Sequence, residues 1–305
     1  MSTNYLRSFG DVSRVEDVVL NAVEILTARE SYIFNMLGKT EARDTVHSFL
    51  TDTLKAAAAN AAAEADDYSY TARTTPSRLT NLVQHIQIPF AVSDTQMQVE
   101  HYHGNDELKR QTEKALMEFA NDAEFNLVRS TLTSGASGTA PAMMGIIQGI
   151  STSLNTTAHT SGTVFAASIL DSLVANNYTN SNGDLATDLF VGAGLRKTID
   201  GFTQKSNVVV NGPAVSTLVR TVSTYQTAFS TLSIHTHRFI QQAADANARL
   251  LAIAPEKLRV AFLKAPYIDN DVARTGTSRR RSVNASMTLE VRNQNSHFFA
   301  TGFLL

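Results

Sequence analysis

The sequence predicts an α+β fold. Three observations carry that reading: a long amphipathic helical stripe near residues 107–132, several short runs with strand alternation, and a second half in which short helices and strands follow one another without an internal repeat.

Residues 1–10 are polar and read as an arm. Asp11 or Ser13 can cap a helix in which Val15, Val18, Val19, Ala22, Val23, Ile25 and Leu26 recur at helical spacing. The run from Tyr32 to Lys39 is an apolar knot ending at Gly38. Val46, Ser48, Leu50, Asp52 and Leu54 begin a strand. Lys55 to Glu64 is alanine-rich and helical by propensity. A polar, turn-like segment follows from Asp66 to Ser77. From Leu79 to Val99, Ile86, Ile88, Phe90 and Val92 alternate with polar positions, and Pro89 confines this stretch to an edge or exposed ribbon. Two strands around a polar tip predict a projecting hairpin.

Asn105 or Asp106 caps the clearest element, a helix to about Leu132. Leu108, Thr112, Ala115, Leu116, Phe119, Ala123, Leu127 and Val128 form its apolar stripe, with Glu124 among the charges placed off it. A Gly/Ser/Thr/Ala-rich connection, Thr133 to Ala142, reads as flexible. Val164–Val174 and Ala193–Thr203 read as helices. Asp188–Val191 and Val208–Val210 read as strands, and Thr217–Tyr225 and Phe229–Phe239 as a pair. Leu250–Ala254 and Leu258–Leu263 flank Pro255. Ser286 to Phe303 reads as a terminal hairpin turning at Asn293-Gln294-Asn295.

Composition narrows the function. At 43% hydrophobic the chain can build a real core, while only 18% of residues are charged, a balance suited to surfaces hidden against partners. With no cysteine, disulfides, thiol catalysis and cysteine metal sites are excluded. No apolar run reaches the ~20 residues of a membrane helix, and residues 1–11 lack the features of a signal peptide. A net charge of −2 argues against a nucleic-acid binder by overall charge.

No chemical motif withstands inspection. Gly38-Lys39-Thr40 mimics the end of a phosphate loop, but Ile33 stands where the first glycine belongs; a helix-ending Gly38 is the better reading. Gly135-Ala136-Ser137-Gly138 lacks the spacing of a nucleophile elbow. His101/His103 and His235/His237 each put two imidazoles on one strand face. They lack an evident third ligand, so polar surface or subunit contact is favoured over metal; a weaker reading is that they tune assembly with pH. Arg279-Arg280-Arg281 could face DNA, but three charges define no nucleic-acid site. The bland reading is a solvated loop, and the acidic residues Glu64, Asp66 and Asp67 are the cluster's candidate partners.

Particular residues carry a family resemblance. Val46-His47-Ser48-Phe49-Leu50, Gln87-Ile88, Val92-Ser93-Asp94-Thr95-Gln96 and Gly104-Asn105-Asp106-Glu107-Leu108 occur in order. They are followed by Lys114-Ala115-Leu116, Asp122-Ala123-Glu124, Val222 to Phe229 and Thr288-Leu289-Glu290-Val291-Arg292-Asn293. Together they resemble the Hong Kong 97-type major capsid proteins of tailed bacteriophages over nearly the whole chain.

The resemblance implies an N-terminal arm at 1–44 and an extended loop at 45–100 reaching over a neighbour. It implies a peripheral domain at 101–159 and 266–305 with a spine helix at 105–132, and an axial domain at 160–265. Lys55–Glu64 is then extended despite its propensity, and Ile86, Ile88 and Phe90 become a lap joint. The implied function is an icosahedral shell of hexamers and pentamers around packaged double-stranded DNA, found in the virion and assembled in the bacterial cytoplasm. Partners would be portal, scaffolding and possibly cement proteins, with no membrane, cofactor, metal or catalytic residue. Residues 56–100 contain no lysine, so covalent locking from that loop is not expected. The short region before Val46 predicts a separate scaffold. The alternatives are an encapsulin-like nanocompartment and an unrelated α+β enzyme or binding domain.

Overall fold

The computed structural model describes residues 31–61, 64, 67, 70, 72–99, 107–181, 183–202, 223–241, 245, 247–270, 272–273 and 276–304. The expected arm, the helix at 11–26, the strand at 208–210, the caps Asn105 and Asp106, and Asp66, His101 and His103 lie outside them.

Two sheets make the body. The first has strand order β1 (Gly38–Glu41), β10 (Leu258–Asp269), β11 (Ser278–Val291), β4 (Gln84–Ser93). The second has six strands, ordered β5 (Thr156–Thr163), β12 (Phe298–Phe303), β9 (Ala248–Ile253), β6 (Asp188–Val191), β8 (Thr231–Thr236), β7 (Thr224–Gln226). A separate antiparallel hairpin joins β2 (Val46–Thr51) to β3 (Ser77–Leu82), with Val46 opposite Leu82 and Thr51 opposite Ser77.

The long helix α3 (Glu107–Arg129) packs on the first sheet. It buries Leu108, Ala115, Phe119, Ala123, Leu127 and Val128, the stripe its spacing predicts. It ends three residues before Leu132, and Leu116 is exposed. Ile33 of the short helix α1 (Tyr32–Met36) and Leu37, which caps its C-terminus, join the same core. The second core lies between α5 (Ala167–Asn180), α6 (Ala193–Phe202) and the six-stranded sheet. Asp188–Val191 is an interior strand, as its short apolar run predicts.

Several expectations are corrected. Leu79–Val99 is not one ribbon. The amide of Val83 bonds to the carbonyl of Thr45, and there the chain leaves the hairpin. β4 then pairs with β11 in the body, and α2 (Asp94–Gln98) follows, capped by the Ser93 hydroxyl. Pro89 does lie on an edge strand, where a missing N–H costs no ladder bond. The terminal hairpin is absent: β11 and β12 sit in different sheets, joined through a 3₁₀ turn, Gln294–Ser296. The chain thus crosses between sheets near 254–258 and 292–297, so a boundary at 265/266 would cut through β10. Gly38 ends no helix and instead starts β1. Thr133–Ala142 is a closed loop, bridged at Thr133/Ala142 and Ala136/Thr139. Residues 55–61 form no helix, in line with the extended conformation expected there over their propensity.

Candidate assembly interface

The hairpin stands on a polar anchor. Asn81, 2% exposed, donates from Nδ2 to the carbonyls of Leu289 (2.8 Å) and Met144 (3.1 Å), while its Oδ1 accepts from the amides of Met144 and Leu82, both at 2.9 Å. Opposite it in the ladder is His47, whose Nε2 lies 2.7 Å from Oε1 of Glu290. Glu290, 2% exposed, receives Arg292 Nε at 2.9 Å and Nη2 at 2.8 Å on its other oxygen. Both hairpin strands are therefore fastened to one point on β11.

Beyond Thr51 and Ser77 the described residues have no regular secondary structure and are exposed. Leu54 is 97% and Tyr70 94% exposed. Glu64 and Asp67 are exposed on the same loop. A cleft of about 1740 Å³, lined partly by Phe49, Leu50, Leu54 and Leu79, opens between hairpin and body.

The other expected contact residues lie elsewhere. Arg279, Arg280 and Arg281 are strand residues at the start of β11, opposite Val92, Ala91 and Phe90, and do not form a loop. Arg279 and Arg280 are exposed, and among the described residues none of the three forms an ion pair. Ile86 is buried in the first core, and Ile88 and Phe90 pack against it half-buried. Their alternation fills the subunit's own interior, which corrects Ile86 as a lap-joint residue.

The second histidine pair finds partners that spacing did not reveal. His235 Nε2 lies 3.1 Å from Asp188, and His237 Nε2 lies 2.8 Å from the fully buried Glu124. Among the described residues no three metal-ligating side chains converge.

A family model for the SU10 major capsid protein matches residues 3–303. No curated protein sequence matches. Solved structures share the fold. The capsid of a native GTA particle is 12% identical, covering 98% of this chain and 100% of that one, with a TM-score of 0.67. Gordonia phage Cozz is 12% identical over 98% of each chain, with a TM-score of 0.61. The holo-SrpI encapsulin complex of Synechococcus elongatus is 9% identical, covering 94% and 92%, with a TM-score of 0.63. Identities this low establish the fold, while the family match spans both sheets, the anchored hairpin and the long helix. The chain thus belongs to the SU10 major capsid protein family, as a structural subunit that assembles with copies of itself into the virion's capsid shell and not as an enzyme.

Proposed function

We propose that this subunit builds the icosahedral head of a tailed phage, as hexamers and pentamers around non-specifically packaged double-stranded DNA. One observation carries the reading: a hairpin fixed rigidly at its base presents Leu54 and Tyr70 almost wholly to solvent. A large loop of that kind gains nothing for its own subunit and suits a neighbour's surface. Head-to-tail contacts of this type close into rings. In this reading residues 1–44 are the arm, the hairpin and its loop are the extended loop, the sheet carrying α3 is the peripheral domain, and the six-stranded sheet is the axial domain. Glu64, Asp66 and Asp67 meet Arg279, Arg280 and Arg281 across the subunit boundary. Assembly proceeds in the bacterial cytoplasm with portal and a separate scaffolding protein, and a cement protein supplements the non-covalent contacts.

The likeness to an encapsulin shell supports a second reading, a nanocompartment enclosing a protein cargo. Size-exclusion chromatography and negative-stain microscopy, with and without the scaffold candidate, test assembly. Closed shells or rings are expected, and persistent monomers with scaffold supplied overturn the proposal. Particles purified from the native source are expected to contain genomic DNA; a protein cargo without DNA selects the second reading.

A further inference from the structure

Asn81 does more than hold the hairpin. Its side chain joins two separate stretches of chain, because it bonds both the carbonyl of Leu289 and the amide and carbonyl of Met144. The same two stretches are joined again farther on. The carbonyl of Asn295 accepts from Asn155 Nδ2 at 2.5 Å, and Oδ1 of Asn295 accepts from Ser153 Oγ at 3.2 Å and from the amide of Leu154 at 3.3 Å. Thr152 Oγ1 lies 3.0 Å from Gln294 Oε1 and donates to it. Between the two clamps the stretches touch directly. At Gly149, the last residue of the short helix α4 (Ile146–Gly149), a methyl group would come within 2.9 Å of Val291 Cγ2. Residues 144–155 and 289–295 are thus two rails fastened at both ends.

Each end carries a different part of the molecule. The Asn81 end carries the hairpin, with His47 held on Glu290 beside Leu289. The Asn155 end carries α5. Asn177 Nδ2 donates to the carbonyl of Asn295 at 3.0 Å, and Asn180 Nδ2 donates to Asn155 Oδ1 at 2.9 Å. Just past the helix, Asp184 accepts from Asn293 Nδ2 at 3.2 Å and pairs with Lys257 at 3.0 Å. Oδ1 of Asn177 accepts from the amide of Ala186 at 3.1 Å. Asn155 and Asn177 are as buried as Asn81, so a partner lost at either clamp is not replaced by solvent.

We propose that the two rails couple the hairpin to α5. Each clamp holds the rails at the spacing the other needs. With one clamp closed, the other closes a short loop instead of a long one, which costs less chain entropy. The bonds also share groups, so they support one another as a network. Opening the Asn81 clamp therefore weakens the hold on α5. Loosening α5 weakens the hairpin footing by the same factor, as linkage requires. The coupling is a property of the single subunit.

Hydrogen-exchange mass spectrometry on the unassembled full chain tests this. Asn177→Ala should lower the protection of residues 46–51 and 77–82 by about fivefold or more, and Asn81→Ala should lower that of residues 167–180 to a similar degree. Leu173→Ala is the control. Leu173 lies on the same helix but faces the second core, so its loss should loosen α5 and leave the hairpin at its wild-type protection. A response in one direction only, or in neither, overturns the proposal. So does a hairpin that loosens as much in Leu173→Ala as in Asn177→Ala. If Asn177→Ala does not fold, Asn81→Ala decides alone: unchanged protection of residues 167–180 rejects the coupling.

Discussion

His47, on the first hairpin strand, lies 2.7 Å from a carboxylate oxygen of Glu290 on β11. The contact ties a projecting element to the interior of the body, because Glu290 is buried and already holds Arg292 on its other oxygen. With Asn81 opposite His47 in the ladder, the hairpin has a two-point footing that fixes where its exposed loop is carried.

The two footings should differ in weight. Asn81→Ala strands two backbone carbonyls and the part-buried amide of Met144, and should cost about 2–3 kcal/mol. His47→Ala leaves Glu290 still paired with Arg292, and should cost about 1 kcal/mol. Urea denaturation of the unassembled subunit measures both. Proteolytic cleavage within residues 52–76 should accelerate in Asn81→Ala more than in His47→Ala; the reverse order would place the main footing at the histidine.

Charge reversal tests the intersubunit pairing. Arg281 lies nine residues along β11 from Glu290, where the hairpin is pinned, a separation of about 30 Å. Arg280→Glu and Asp67→Arg should each lower shell yield, and the double variant should recover it. An exposed pair is worth under about 1 kcal/mol, but it recurs at every contact around a ring. Sedimentation of assembled particles reads the result, and a double variant no better than the singles rejects the pairing.

What was legible in the sequence was local. The spacing of Leu108, Ala115, Phe119 and Leu127 gave α3, the apolar run at Asp188–Val191 gave β6, and the alternation of Ile86 to Val92 gave a strand there, though not that its apolar face turns into the subunit's own core. Partner choice was not legible, because it depends on segments far apart in the chain. β3 and β4 look like one ribbon until Val83 bonds back to Thr45. β11 and β12 look like a hairpin until each finds a different sheet. Glu124 read as a surface charge beside the apolar stripe, since its donors come from residues 33, 34 and 237. The helical wheel could show only that it borders the buried face.

Glycine substitutions separate backbone strain from steric conflict. Gly302 has φ +100° at an irregularity where β12 pairs with both β5 and β9, and a methyl there runs into the carbonyl of His159. Gly138 has φ +87° but open space around it. Gly138→Ala should therefore cost about 1 kcal/mol, the left-handed penalty alone. Gly302→Ala should cost about 3 kcal/mol or more and loosen the β12–β5 pairing. Equal destabilisation in urea would mean that the sheet yields readily at Gly302.

His297 predicts a global acid sensitivity of the subunit. Burial pushes its imidazole down to about 4, and its Nδ1 accepts from the amide of Ala254 at 3.0 Å. In the unfolded chain the ordinary value is about 6.5. Between these values the unfolded chain binds a proton that the folded chain refuses, so stability rises with pH. The contribution is complete above about pH 6.5 and is lost as pH falls toward 4, to a total of about 3 kcal/mol. His297→Gln can keep the bond from Ala254 through its side-chain oxygen but does not titrate. Its stability in urea should drop less than that of the wild-type subunit between about pH 7.5 and about 4.5, by about 2–3 kcal/mol. Parallel losses in the two proteins would assign the acid sensitivity to other groups.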